Sequence, residues 1–359
     1  MKEYSNLYSW LRLALIPKVG PKTVLKLLHH FKTAENILAQ DSNTLAQFVG
    51  NTIARLIINN AGEKAVNDAY TWLEQDKNNS IISLEDPIYP KELAEITDPP
   101  IILFAKGDLS LLSKPKFTII GTRHPTEQGM LNAFNFAQNL ANLNLTIVSG
   151  MADGIDRHAH LGGLDGTGKT IGVIGTGIDR IYPASNKDLF HKVAEKGLLL
   201  SEFALGTQPF VGNFPRRNRI VAGLSTGCLV IESAIDGGSM ITANMALEMG
   251  REVMAIPGSI HNPVARGCHK LIKTGAKLIE TTNDIIEELQ ITKGVQTRVT
   301  AKHPDDPILQ IMGYDAVNID HICSKLNTSF AEICANLLAL ELDGRITNCG
   351  NGKYQRIFR

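Results

Sequence analysis

This sequence of 359 residues carries no surplus of charge. Its 36 Lys and Arg balance 36 Asp and Glu, for a formal net charge of zero. That excludes a histone-like coat of positive charge, so any contact with nucleic acid has to run through a local basic patch. Cysteine pairs are missing too. Cys228, Cys268, Cys323, Cys334 and Cys349 are odd in number and no two are spaced C-x-x-C. Such a set reads as free thiols in a reducing compartment, against a disulfide framework or a thiolate metal site. No apolar run approaches the ~20 residues of a membrane span. Met1-Lys2-Glu3-Tyr4 opens a mixed helix and not an apolar signal core. These features predict a cytoplasmic chain without a membrane partner.

What is present is glycine, placed at the ends of apolar strands. Four turns stand out: Ile120-Gly121-Thr122-Arg123, Ser149-Gly150-Met151-Ala152-Asp153-Gly154, Gly175-Thr176-Gly177 and Asp236-Gly237-Gly238-Ser239. Strand ends of a parallel sheet lie together, so the four are expected to converge on one crevice. Backbone N–H groups at such turns, and at the helix N-termini behind them, attract anions. The expectation is a phosphate-handling site.

Around the turns the chain alternates strand and helix. Strands are expected at Phe117 to Ile120, Leu145 to Val148, Thr170 to Ile174, Gly197 to Leu200, Cys228 to Ile231 and Glu252 to Ile256. Helices are expected at Thr126 to Asn142, from Ile155, and at Met240 to Met249 with Gly250 as its C-terminal stop. Six strands joined by helices predict an α/β fold with a doubly wound parallel sheet, Rossmann-like, over residues 79–291. Ile101 to Phe104 reads as a buried strand ahead of it.

Residues 1–78 read as helical. Ile16-Pro17-Lys18-Val19-Gly20-Pro21-Lys22-Thr23, between two apolar-periodic runs, resembles a helix-hairpin-helix, whose hairpin amides and lysine hold a DNA phosphate without reading sequence. Val49-Gly50-Asn51-Thr52 reads as a weaker second copy. The other reading is an ordinary corner in a small bundle. Residues 292–306, rich in charge and poor in apolar side chains, read as a linker. Residues 307–359 read as a winged helix: helices Ile308 to Met312, Ile319 to Leu326 and Phe330 to Leu342, then a hairpin of Arg345 to Thr347 and Tyr354 to Phe358. The recognition helix has Glu332 and no Lys or Arg, which favours protein or self-interaction over reading the major groove.

Two motifs read as false leads. Gly163 to Thr170 matches G-x-x-x-x-G-K-[ST], but it leaves a helix and enters a strand, the reverse of a working P-loop, so it is expected to be an αβ turn. Gly175-Thr176-Gly177 has Arg180 where the third glycine of a dinucleotide fingerprint belongs, so no dinucleotide cofactor is expected. Asp153, Asp156, His158 and His160 do not have the spacing of a standard ligand set, so no metal is expected.

Phe214-Pro215-Arg216-Arg217-Asn218-Arg219-Ile220 stands apart in a chain so balanced in charge. Three arginines in four positions pair bidentately with phosphates, and Phe214 can stack a base. The alternative is a solvated basic helix start. Arg123 points toward the same crevice from the first strand end.

Residues 80 to 280 closely resemble the DNA-processing protein A family (DprA, also called Smf). The residues are Gly121-Thr122-Arg123; Ser149 to Asp156 with Ala159-His160; Tyr182-Pro183 with Asn186; Leu200-Ser201-Glu202; Phe214 to Ile220; Gly238-Ser239-Met240-Ile241-Thr242-Ala243; Pro257-Gly258; and Gly275-Ala276. The resemblance implies an extended Rossmann fold that binds single-stranded DNA without sequence preference, a homodimer formed through the sheet domain, and loading of the recombinase RecA onto incoming strands during transformation. It implies no enzymatic activity. The DNA pocket then maps to Gly121, Thr122, Arg123, Ser149, Gly150, Ala152, Gly154, Phe214, Arg216, Arg217, Asn218, Arg219, Gly238 and Ser239. Asp236-Gly237-Gly238-Ser239 departs from the family's more frequent Ser-Gly-Ser. A rival reading is a Rossmann-type nucleotide-phosphate hydrolase with Glu232 as base.

Overall fold

Strands buried on both faces need continuous apolar runs, and the central strands have them. The structure, a computed structural model, describes residues 2–291, 306–313 and 315–357. Five helices open the chain: α1 (Lys2–Ala14), α2 (Pro21–Phe31), α3 (Ala34–Leu38), α4 (Ser42–Ile58) and α5 (Glu63–Gln75). Pro21 takes the first position of α2, where its missing N–H costs nothing. Gly50, inside the expected second hairpin, breaks α4 with φ 77° and ψ 161°.

The middle of the chain builds one nine-stranded sheet. Its elements run β1 (Asn79–Ser83), α6 (Lys91–Ala94), β2 (Ile102–Gly107), β3 (Lys116–Ile120), α7 (Glu127–Asn142), β4 (Thr146–Ser149), α8 (Ile155–Asp165) and β5 (Thr170–Val173). They continue with α9 (Lys187–Lys196), β6 (Leu198–Ser201), α10 (Asn213–Gly223), β7 (Gly227–Val230), α11 (Gly238–Glu248), β8 (Glu252–Ala255), α12 (Arg266–Lys273), β9 (Lys277–Leu278) and α13 (Thr282–Glu288). The strand order is β1-β2-β6-β5-β4-β3-β7-β8-β9. From β6 to β9 all pairings are parallel. The six expected strands are β3 to β8 and all pair in parallel; at one edge β2 runs antiparallel to β6 and β1 to β2. β9, two residues long, was not expected.

Alternation along each strand assigns its two faces. Leu103 and Ala105 of β2, Leu198 and Leu200 of β6, and Val230 of β7 join one core with Ile220, Val221 and Met240 from α10 and α11. The residues between them face the other side. There Phe117, Ile119 and Leu229 pack under α7, α8 and α13. Further along, Ile102, Phe104 and Leu199 pack with Trp10, Leu27, Trp72 and Leu189, so the N-terminal helices cover that end of the sheet. Trp72 and Phe104 meet edge to face, centroids 5.7 Å apart.

The P-loop-like stretch is an αβ turn: α8 extends through Asp165, and β5 starts at Thr170. Lys169 turns back to donate to the Leu164 carbonyl at 3.0 Å.

The C-terminal part holds α14 (Pro307–Met312), β10 (Val317–Asn318), α15 (Ile319–Leu326), α16 (Phe330–Leu342), β11 (Ile346–Gly350) and β12 (Lys353–Arg356), with the small sheet ordered β10-β12-β11. This is a winged helix around a core of Ile308, Ile322, Ile333 and Leu337. Residues 292–305 of the expected linker and Phe358 of the last expected strand lie outside the described residues. Among the described residues, no helix is long and apolar enough to cross a membrane.

Candidate nucleic-acid crevice

A small, open crevice with a cavity volume of about 60 Å³ lies over the carboxyl ends of β3, β4 and β5. Its lining includes Arg123, Gly150 to Asp153, Ile174, Gly175, Tyr182, Phe214 and Arg217. Three of the four glycine-rich turns therefore converge. The fourth does not line the crevice. β7 lies on the far side of β3 from β4 and β5, which carries its turn away. Ser239 there donates to the Ser233 hydroxyl at 2.7 Å, and Gly238 is exposed.

The turn after β4 is the floor, and it brings its own anion. Asp156 Oδ2 accepts from Gly150 N at 3.1 Å and from Ala152 N at 3.3 Å. The Met151 amide donates to His160 Nε2 at 3.3 Å. The Ser149 hydroxyl donates to the Ile119 carbonyl at 2.7 Å. The amides of Gly150, Met151 and Ala152 therefore donate to buried side chains of α8. Gly154 turns the chain into α8 with φ 77°, a conformation that side chains resist.

His160 holds its ring neutral. Burial, with Arg217 nearby, pushes its pKa down to about 3. Thr170 Oγ1 donates to the Ile147 carbonyl at 2.8 Å. Its lone pairs therefore receive the proton on His160 Nδ1, 2.7 Å away, leaving Nε2 to accept from Met151. Burial pushes the Asp156 carboxyl up, against the pull of Arg217 and the turn's donors.

The arginines of α10 divide by face. Arg217, 5% exposed, points inward and donates to the carbonyls of Gly150 and Val173. Burial lowers its pKa to about 10, so it stays charged at neutral pH. A Cβ on Gly150 would come within 2.5 Å of Arg217 Nη1, so only glycine admits this approach. Arg216 and Arg219 leave the crevice for Glu202, whose side chain is 2% exposed. Arg216 Nε lies 3.1 Å from Glu202 Oε1, and its guanidinium sits 5.3 Å from the Phe203 ring centroid. Arg219 pairs with the same carboxylate and reaches Asp98 at 3.5 Å. Asn218 is half-buried and outside the lining. Of the three arginines, one belongs to the floor and two pair with Glu202.

What remains at the mouth is Arg123, exposed, its guanidinium 5.8 Å from the centroid of Phe214. Tyr182 lies beside Phe214, centroids 5.4 Å apart and planes tilted by 34°. Tyr182 was absent from the expected site; its signal was an aromatic-proline pair shortly after the third glycine turn. Gly121 and Thr122 work behind Arg123. Thr122 N donates to the Glu232 carbonyl at 2.7 Å, and Thr122 O accepts from Ile155 N at 3.1 Å.

Glu232 is a cap. Its carboxylate accepts from Thr126 N at 2.9 Å and from Thr126 Oγ1 at 2.6 Å at the start of α7. Burial pushes its pKa up, and the Thr126 donors oppose that. It is outside the crevice lining. Asp156 and His160 serve the floor, and among the described residues no group of three or more His, Cys, Asp or Glu gathers as metal ligands would.

The architecture defines a three-part protein: a Rossmann-like sheet with a cationic, aromatic crevice at its strand ends, flanked by helix-hairpin-helix-like helices and a winged helix. The family model described as DNA recombination-mediator protein A matches residues 80–290, the DprA winged helix domain matches 297–352, and a SAM-like helix-hairpin-helix tandem matches 11–63. The chain belongs to the DNA recombination-mediator protein A family. Protein Smf of Escherichia coli (strain K12) is 34% identical over 368 residues, covering 98% of this chain and 96% of the relative. The DNA processing protein DprA of Streptococcus pneumoniae is 45% identical over 225 residues, 63% of this chain and 79% of the relative. Its solved structure superposes with a TM-score of 0.68 at 38% identity, covering 78% of this chain and 95% of that one. DNA processing protein A from Helicobacter pylori, whose structure was solved for its single-stranded DNA binding mode, gives 0.54 at 32% identity, covering 59% and 96%.

Proposed function

We propose that this chain binds single-stranded DNA in the crevice without sequence preference and acts as a recombination mediator. In this reading it works as a homodimer joined through the sheet domain, loads RecA onto incoming strands during transformation, and is not an enzyme. The carrying observation is the pairing of Arg123 with Phe214, 5.8 Å from guanidinium to ring centroid. An exposed cation beside an aromatic face suits a phosphate and its unstacked base together, and every base has a face to stack. Tyr182 widens that platform. A duplex keeps its bases stacked and offers none to these rings. Family membership supports the same ligand, as does the single-stranded DNA binding mode of the Helicobacter pylori protein. Against the hydrolase reading, Glu232 accepts from Thr126 at the start of α7 and lies outside the crevice lining.

The test is an anisotropy titration of wild type, Arg123→Ala and Phe214→Ala against single- and double-stranded oligonucleotides at two salt concentrations. Wild type is expected to prefer single strands. The logarithm of its affinity should fall against log salt by about 0.7 per phosphate neutralised, with roughly one such increment lost in Arg123→Ala. Phe214→Ala should cost about 1–3 kcal/mol, the usual worth of one stacked base. No single-strand binding by wild type would sink the reading and direct attention to nucleotide hydrolysis.

A further inference from the structure

Three charged side chains line the crevice: Arg123, Arg217 and Asp153. Two of them favour a phosphate, and Asp153 opposes one. The charge of Arg217 is already matched by the buried Asp156. The opening itself is left with one cation, Arg123, and one anion, Asp153. Its formal charge is zero in the place that the proposed function gives to a polyanion.

The carboxylate of Asp153 is held in place. It belongs to the turn after β4, one residue before Gly154 bends the chain into α8. Asp153 Oδ1 accepts from the Ser185 hydroxyl at 2.7 Å. Ser185 stands three residues after Tyr182, so this bond ties the anion to the segment that carries one of the two aromatic rings. Among the described residues, Asp153 enters no ion pair. Arg157, four residues on, pairs with Asp188 at 2.9 Å. The carboxylate therefore keeps its full charge toward whatever approaches Arg123.

That charge weighs unequally on different ligands. Two like unit charges about 4 Å apart in water cost roughly 5-fold in binding. The cost grows with charge density, and a duplex brings one charge per ~1.7 Å of axis against ~3.4 Å for one of its strands. A single strand offsets the loss by stacking unpaired bases on Phe214 and Tyr182. A duplex keeps its bases stacked inside, and inorganic polyphosphate has no base at all.

We propose that Asp153 is a selectivity residue of the crevice: its negative charge turns away polyanions that offer phosphate alone and leaves the crevice to strands with unstacked bases. The inference rests on the single-strand reading of the crevice. Discrimination of this kind combines an attraction to one ligand with a repulsion aimed at its competitors. Here the attraction comes from Arg123 and the rings, and the repulsion from Asp153.

The experiment titrates wild type, Asp153→Asn and Glu195→Gln against a labelled short single strand and a duplex of the same length, with inorganic polyphosphate as competitor. Each titration is run at about 50 and 200 mM salt, with Mg²⁺ and with EDTA. Asparagine keeps the shape of Asp153 and can still accept from Ser185, so only the charge is removed. Glu195 is an exposed carboxylate of α9 outside the lining and controls for net charge. Asp153→Asn should bind the single strand about 5-fold more tightly at low salt and gain more than that on the duplex, so the preference for single strands falls. Polyphosphate should compete at lower concentration. Both gains should shrink at the higher salt, as screening shortens the reach of the charge. Glu195→Gln should keep the wild-type preference. An unchanged or weaker affinity in Asp153→Asn would overturn the inference, and so would an equal gain on both ligands or the same gain in Glu195→Gln. A loss confined to the Mg²⁺ titrations would make Asp153 a cation ligand and overturn it as well. Wild type that binds no single strand would sink the crevice reading and this inference with it; wild type that binds while Asp153→Asn matches it sinks the inference alone.

Discussion

Arg217→Ala separates a phosphate ligand from a piece of the floor. Arg217 lies 5% exposed in α10 and donates to two carbonyls, Gly150 at the end of β4 and Val173 at the end of β5. Its charge also faces Asp156, which holds two amides of the same turn. Each hydrogen bond from a charged donor is worth about 1.5–3 kcal/mol. Removing one member of a buried charge pair costs about 3–5 kcal/mol. The expected loss is therefore about 3–5 kcal/mol, since the two accounts describe the same interactions. For a domain of this size, 1 kcal/mol moves the melting temperature by about 2–4 °C, so the variant should melt roughly 6–20 °C below wild type. Arg217→Lys should recover part of this, because an ammonium keeps the charge without the planar fork. Thermal unfolding by circular dichroism reads the effect, and single-strand affinity is measured below the transition. A variant that melts with wild type but has lost single-strand binding would refute the argument and make Arg217 a ligand.

Gly154→Ala should lower the melting temperature by several degrees. Its φ of 77° is strained for alanine, and the added Cβ would lie 2.4 Å from the Thr122 carbonyl oxygen; an unchanged melting temperature would contradict the geometry. Glu232→Gln tests burial of the cap carboxylate. A carboxyl with a raised folded-state pKa binds more protons folded than unfolded, so its contribution to stability falls as pH rises from the ordinary value of 4.5 through the raised one. The melting temperature of Glu232→Gln relative to wild type should therefore be highest at neutral pH and decline toward pH 4.5; a difference independent of pH would count against it.

Much of the fold was legible because its signals are local. β3 to β8 show as apolar runs, since a central parallel strand is buried on both faces and tolerates no polar alternation. Thr126, Gly154 and Gly250 mark helix ends by chemistry that acts within one turn of backbone. The antiparallel edge was less legible, because strand direction depends on where β2 lands and not on its composition. β9 has only two residues, too few for any periodicity.

For the crevice, sequence alone determined that glycine-rich turns end the strands, and it singled out Arg123, the Gly150 turn and the Phe214 helix, which do line the opening. The tertiary structure decided which groups face the opening. Helical rotation turns Arg217 onto the floor and sends Arg216 and Arg219 to Glu202, which is 12 residues from Phe214 in the chain. Strand order set the turn of Ser239 on the far side of β3. Asp156 and His160 claimed the turn amides, since a buried N–H takes the nearest acceptor and α8 supplies one. Residue types and their spacing are properties of the chain, whereas burial and pairing depend on what the fold packs against each side chain.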